Sequence, residues 1–371
     1  MNSFGQKIIK EIQRIGFISF ETFMEMALYE PELGYYTSQK TRIGREGDFY
    51  TSSHLHPVYG AMIGKQIEEM WEIMKRPSDF HVIEMGAGSG YLCKDMLDYV
   101  KSKKMFDSLN YIIVEFNPVM IENQKNLLSD FSHKVKWVSS LKKLNSIKGC
   151  ILSNELLDSF PVHLIEMEDE IKEVFVSVKG EELIEIKEKP SDEISNYLKE
   201  FSIELIKGYR TEINLKIKEW LKEINTVLKE GFIFTIDYGY PARDYYSEDR
   251  NRGTLLCYHR HQVNEDPYQN IGEQDITAHV NFSSVKKWGE EVGFKTIGFC
   301  TQGTFLIALG IDEMIQERYE NSPDYLFEVA KIKRLILPGT MGETHKMMIQ
   351  YKGDGYPELR GFSMKNQKEK L

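Results

Sequence analysis

A chain of 371 residues is too long for one ordinary domain and too short for three, so an enlarged α/β domain or a pair of domains is expected. A formal net charge of -10, without any dense block of lysine and arginine, excludes a general nucleic-acid binder, because phosphate contacts need a basic surface. Cys93, Cys150, Cys257 and Cys300 lie far apart with no CxxC spacing, and no apolar run reaches the roughly 20 residues that span a bilayer. Reduced thiols, no membrane insertion and a cytoplasmic location follow as expectations. The opening MNSFGQKIIKEIQRIGF has neither signal-peptide nor transit-peptide character.

Apolar positions Ile8, Ile9, Ile12 and Ile15, then Phe20, Phe23, Met24, Ala27 and Leu28, have the spacing of two short amphipathic helices parted near Gly16. Pro31 and Gly34 break the pattern. GYYTSQKTRIGREGDFYTSS follows neither period and reads as a long loop, of the kind that forms lids or binding loops. A helix from about Pro57 to Met74 then leads to HVIEMGAGSG, residues 81 to 90, which reads as strand, glycine turn and, with YLCKDMLDYV behind it, helix. Gly86, Gly88 and Gly90 permit a sharp turn and close approach of a bulky ligand.

The second strand, residues 111 to 118, carries Glu115 near its end, and helix is expected from Val119 to Leu128 and strand from Val135 to Val138. GCILSNELLDSFPV places a strand at Cys150 to Leu152 before a short helical turn closed by Pro161. This alternation predicts a doubly wound parallel sheet. From His163 to Lys187 a two-residue period marks an inserted antiparallel hairpin, and residues 191 to 229 read as helix. GFIFTIDYGYP returns to a buried strand ending at Asp237, and residues 242 to 281 are polar and irregular. Helix at Ser283 to Val292, strand and turn in KTIGFCTQGTFLIALG, helix at Glu313 to Leu335, a last strand MMIQYK and a frayed polar tail complete the chain.

The glycines fall at alternate positions, whereas a dinucleotide site has its third glycine three residues after the second, where Tyr91 stands here. The spacing favours S-adenosylmethionine (SAM) over a nicotinamide cofactor; a turn with no ligand is the plainer alternative. Glu115 is placed to accept hydrogen bonds from ribose hydroxyls, or is a solvated strand-end carboxylate. Asn154, Glu155 and Asp158 follow the fourth strand at the sheet's carboxyl edge, and the two acids could share a face and hold a guanidinium through bidentate hydrogen bonds. Equally, Ser153 or Asn154 could cap a short helix there. His259, His261, His279, Glu273 and Asp275 fit no familiar metal-ligand spacing, so no metal is assigned and a polar pocket wall or scaffold is expected.

GYY, GDFYTS, EMGAGSGYL, VEFNP, SNELLDSFPV, DYGYP and GEQDITAHVNF together resemble the MidA-like family of SAM-dependent methyltransferases, related to mitochondrial complex I assembly factors, over nearly the whole chain. Ala87 and Ser89 stand where the family often has Pro and Arg, Asn281 replaces a frequent Asp, and Ser53-His54 stands for Pro-Glu, so no glutamate role is carried to residue 54.

The resemblance implies a class I methyltransferase fold, Rossmann-like, with a seven-stranded sheet and additions over its carboxyl edge. Residues 1–78 would form an N-terminal helical and lid region and 79–371 the methyltransferase domain, with insertions at about 163–229 and 242–281. It further implies SAM as cofactor and protein arginine N-methylation, with small-molecule methylation or a SAM-binding assembly factor of little turnover as alternatives.

Glu84, Gly86, Gly88, Gly90, Glu115, Ser140, Leu141 and Asn154 are the expected cofactor-binding residues. Glu115 would hold the ribose, and Ser140 with Leu141 would flank the adenine. Asn154, Glu155 and Asp158 are the expected catalytic residues. Asp48, Phe49, Thr51, Asp237 and His279 are assigned to the lid and substrate side. The implied partner is a protein substrate; a homodimer is compatible with the chain.

Overall fold

The computed structural model describes residues 2–38 and 52–371. Its strands, in chain order, are β1 (Phe17–Ser19), β2 (Phe80–Met85), β3 (Leu109–Val114), β4 (Val135–Val138), β5 (Ile147–Asn154), β6 (His163–Met167), β7 (Ile171–Lys179), β8 (Glu182–Glu188), β9 (Arg210–Ile213), β10 (Leu228–Tyr240), β11 (Leu256–His259), β12 (Gln262–Asn264), β13 (Asp275–Thr277), β14 (Val280–Asn281), β15 (Lys295–Thr301) and β16 (His345–Lys352).

Seven strands form the main sheet in the order β15-β16-β10-β5-β2-β3-β4, and β14 pairs with the end of β10. The pairings of β4, β3, β2, β5 and β10 are parallel, while β16 runs antiparallel to both its neighbours. This is the class I methyltransferase sheet that the resemblance implied. Its parallel strands are apolar on both faces because helices cover both. Val82, Cys150, Leu152, Phe232 and Phe234 face the helices Val58–Ile73 and Tyr91–Val100, and Ile83, Ile151 and Ile233 face Lys216–Val227 and Phe282–Glu291. The strand order reverses between β2 and β5, which opens a crevice at their carboxyl ends.

The second sheet, β1-β7-β6-β9 with β8 beside β7, is larger than the hairpin expected at 163–187. It recruits β1 from the N-terminus, Phe17 to Ser19 lying against Ser177 to Phe175. It also recruits β9 from the stretch expected to be continuous helix. Gly208, at φ +87°, ends the preceding turn, and Arg210–Ile213 then pairs with β6, so helix is confined to Asp192–Glu200 and Lys216–Val227.

The irregular 242–281 segment likewise contains a three-stranded sheet, β12-β11-β13. Helix Ser3–Ile15 and helix Phe20–Tyr29 share a core with these additions: Ile8, Phe20 and Phe23 pack in one cluster with Leu164, Val176 and Cys257. Helix Val58–Ile73 belongs instead to the core of the main sheet. Apolar packing therefore cuts across the boundary expected near residue 78.

Two further expectations change. The helix expected over 313 to 335 is two helices, Ile311–Tyr319 and Tyr325–Ile336, parted at Ser322-Pro323. The polar tail is docked rather than frayed: Leu359 and Phe362 are buried, and Asn366 donates to the Ile297 carbonyl while accepting from the Phe299 N–H. Counting polar residues missed two apolar anchors.

Candidate active site

The cofactor side is built around the turn that leaves β2. Gly86, Gly88 and Gly90 all take positive φ, at +69°, +52° and +84°, a region that side chains disfavour. A Cβ on Gly86 would lie 3.0 Å from Leu156 Cδ1, and one on Gly90 would lie 3.3 Å from Gln124 Cγ, so a side chain at either would crowd its neighbour. Gly90 heads helix Tyr91–Val100, whose unsatisfied N–H groups make this an anion-tolerant position.

Gln124, which the sequence did not single out, fixes the turn. Fully buried, it donates from Nε2 to the Gly88 carbonyl at 2.7 Å and accepts from Trp137 Nε1 at 2.9 Å. Glu84 lies buried in β2, accepting from the Tyr111 hydroxyl at 2.7 Å, and burial pushes its carboxyl up to about 7.

Glu115 follows β3. Its Oε1 accepts from the backbone N–H groups of Phe116 and Asn117 at 2.8 and 2.9 Å, which locks the carboxylate in one orientation at the sheet edge; burial raises its pKa. Asn117 caps helix Pro118–Leu127 and donates to the carbonyls of Tyr36 and Ser38, tying the N-terminal GYYTS segment to the cofactor crevice. Ser140 caps a single turn after β4, accepting from the Lys142 N–H. The Leu141 side chain lies in the apolar core with Ile147 and Ile151, which leaves only its backbone to meet a ligand.

The acidic turn after β5 owes its shape to Asp237. This fully buried residue accepts through Oδ2 from the N–H groups of Leu156, Leu157 and Asp158, at 3.2, 2.9 and 3.4 Å, and through Oδ1 from Tyr238 N–H at 2.9 Å. The turn is capped from the neighbouring strand, by neither Ser153 nor Asn154. Asp237, expected on the lid and substrate side, is thus a brace under the site with both oxygens committed to backbone. Burial and the negative charges of Asp158 and Glu155 hold its pKa well above the usual carboxylate range.

So held, Glu155 sits at φ +50° with its N–H on the Ile236 carbonyl. Its Oε1 accepts from Asn154 Nδ2 at 3.2 Å and Ser52 N–H at 3.3 Å, and lies 3.6 Å from His345 Nε2. Asn154 in turn accepts from the Tyr59 hydroxyl at 2.7 Å. Asp158 accepts the Tyr238 hydroxyl on Oδ2, while its Oδ1 is buried with no partner. Burial, with Glu155 acting in the same direction, pushes its carboxyl up to about 7.

Glu155, Asp158, Tyr238, Tyr258, Asp275 and His279 surround a cavity of about 250 Å³. Asp275 accepts from the Tyr36 hydroxyl at 2.8 Å, and Tyr36 stacks on Tyr29, whose hydroxyl meets Ser159. The tyrosines of GYY therefore brace the far wall. His279 packs its ring against Tyr238 and Tyr240, and burial pushes its pKa down to about 4, so the ring is neutral near pH 7. His259 is set by the Glu273 carbonyl 2.7 Å from its Nδ1. Asp48, Phe49 and Thr51 lie outside the described residues.

The family model for S-adenosyl-L-methionine-dependent methyltransferases matches residues 62–300. The chain belongs to this family. Among solved structures, the methyltransferase is similar to a superfamily member from Burkholderia thailandensis crystallised with S-adenosyl-homocysteine, at 27% identity and a TM-score of 0.90, covering 100% of this chain and 96% of that one. It is also similar to a mitochondrial protein named protein arginine methyltransferase NDUFAF7 homolog from Drosophila melanogaster, 23% identical across 97% of this chain and 89% of that one. The Danio rerio relative of the same name, also mitochondrial, is 25% identical over 92% of this chain and 86% of its own.

The cofactor of this methyltransferase is SAM, and the crevice fits it: three glycines at positive φ, a helix N-terminus and an oriented carboxylate converge at the reversal point of the sheet. Among the described residues no helix is long and apolar enough to cross a membrane.

Proposed function

We propose that the methyltransferase modifies an arginine side chain of a protein. The observation that carries this reading is the unpartnered, buried Oδ1 of Asp158 in a cavity that Glu155 and Asp275 also line. A planar guanidinium presents several donors at once and suits such a set of acceptors. The relatives named as arginine methyltransferases support the same reading. A cytoplasmic location is proposed with it, on four buried cysteines without disulfides.

In this scheme Gly86, Gly88 and Gly90 let the cofactor's methionine end approach the backbone, Glu115 accepts from its ribose hydroxyls, and Ser140 with the Leu141 backbone borders the adenine. Bound SAM supplies an electrophilic methyl group. Glu155 and Asp158 accept from guanidinium N–H groups, orient the target nitrogen and favour localisation of its lone pair. Asn154, held by Tyr59, keeps the Glu155 carboxylate in place.

Calorimetry on Glu115→Ala is expected to show SAM binding weakened by about 10- to 100-fold, the loss that accompanies hydrogen bonds to a charged group. Unchanged affinity would remove the ribose role.

The pH dependence is set by Asp158. With its carboxyl at about 7, the anion needed to hold a guanidinium grows in as pH rises, so kcat/KM should climb through about pH 7 and the step should vanish in Asp158→Asn. Stability runs the other way. A carboxyl raised above its unfolded value stabilises the fold fully below about pH 4, and that contribution is lost as pH rises through about 7. A pH–rate profile with no step in this range would count against the assignment.

A further inference from the structure

Beside the acidic cavity lies a cationic patch. Tyr240, at the end of β10, has the Arg250 guanidinium 3.8 Å above its ring centre and the Lys346 ammonium 5.4 Å from it. His279, whose ring is 5.4 Å from that of Tyr240, forms both the cavity wall and the edge of the patch.

Among the described residues neither cation has a carboxylate partner. Arg250 donates from Nη1 to the Asp244 carbonyl and Ser247 Oγ, and Lys346 donates to the carbonyls of Glu343 and Thr344. The negative charges of Glu343 and Asp244 act on Lys346 in the raising direction, yet among the described residues neither carboxylate pairs with it. Lys346 is only 8% exposed, and an ammonium held there by carbonyls alone is costly unless a negative group arrives. Burial pushes its pKa down to about 8, the direction expected for such a cation. His279 Nδ1, at the same edge, is buried with no hydrogen-bond partner.

Building on the arginine reading, we infer that the substrate carries an acidic side chain close to its target arginine, and that Arg250 and Lys346, across Tyr240, receive that carboxylate while Glu155 and Asp158 receive the guanidinium. One side chain, His279, separates the two subsites. An extended peptide returns a side chain to the same face every second residue, so an acid two positions from the arginine is the first that shares its face. The arrangement selects by opposite charges in fixed order, and it disfavours a basic residue beside the arginine.

The test uses the full-length protein loaded with S-adenosyl-homocysteine and short Gly/Ser peptides bearing one central arginine, with aspartate or asparagine two residues before or after it. Binding is measured by calorimetry, and methylation with SAM by mass spectrometry. One of the aspartate peptides should bind about tenfold more tightly than its asparagine twin, and Arg250→Gln should erase the preference. Lys346→Gln should reduce it as well. Because Arg250 sits in a surface segment, its variant keeps the test valid if the buried lysine variant fails to fold. A preference lost in Arg250→Gln without methylation of any peptide would overturn the arginine reading and leave the patch standing. Equal binding of the twins, or a preference that survives Arg250→Gln, would overturn the patch.

Discussion

Glu155→Gln should lower kcat by about 10²- to 10³-fold while leaving the dissociation constant of SAM within about threefold of wild type. The substitution keeps the shape of a residue whose backbone is fixed at φ +50° by the Ile236 carbonyl, so no rearrangement of the turn is expected. What changes is the head group. Oε1 faces two donors, the Asn154 amide and the Ser52 N–H, with His345 Nε2 3.6 Å away, and an amide either turns its NH₂ toward them or toward the acceptor. In both orientations the site loses a negative charge and one lone-pair direction. Single-turnover kinetics with calorimetry separates the steps: an unchanged rate would remove Glu155 from the chemistry, and a parallel loss of SAM affinity would reassign it to the cofactor. If the protein's principal role were assembly with little turnover, this variant would also retain full partner binding.

Asp237→Ala should be the most damaging change outside the cavity, with a loss of about 3–5 kcal/mol in stability, the cost of stranding buried polar groups. Four backbone N–H groups lose their acceptor at once, three of them in the turn that aims Glu155 and Asp158. Thermal unfolding should fall by roughly 5–10 °C. Methyl transfer should fall below assay even at temperatures where the fold persists, because the turn is no longer held. Retention of activity at wild-type stability would show that the turn is shaped by its own sequence.

The cofactor half was legible because its chemistry is local. Three glycines at alternate positions, an acid after the next strand and a conspicuous acidic turn each announce themselves within about ten residues, and the structure brings them to one edge. The wall of the cavity was not legible in the same way. Tyr238 was visible within DYGYP, but its bond to Asp158 joins residues 80 apart, and that of Tyr36 to Asp275 residues 239 apart. Asp237 was assigned to the lid and substrate side; only the pairing of β10 with β5 shows that it faces a neighbouring backbone. Strand β9 was hidden inside a stretch with enough apolar residues for a helix, and its edge position next to β6 decided otherwise.

The pairing of β1 with β7 also orders events during synthesis. Phe17 meets Ser177, and Asn2 donates to the Ile271 carbonyl, so the first two helices have no finished partner surface until about three-quarters of the chain has left the ribosome. Sheet strands β2 to β5 can pair long before that. The nascent chain therefore carries an apolar N-terminal segment, Phe4 through Leu28, that waits while the cofactor crevice forms behind it. Truncation of the 242–281 segment should leave those helices exposed to proteases and chaperones, read as faster limited proteolysis within Ser3–Ile15 and Phe20–Tyr29.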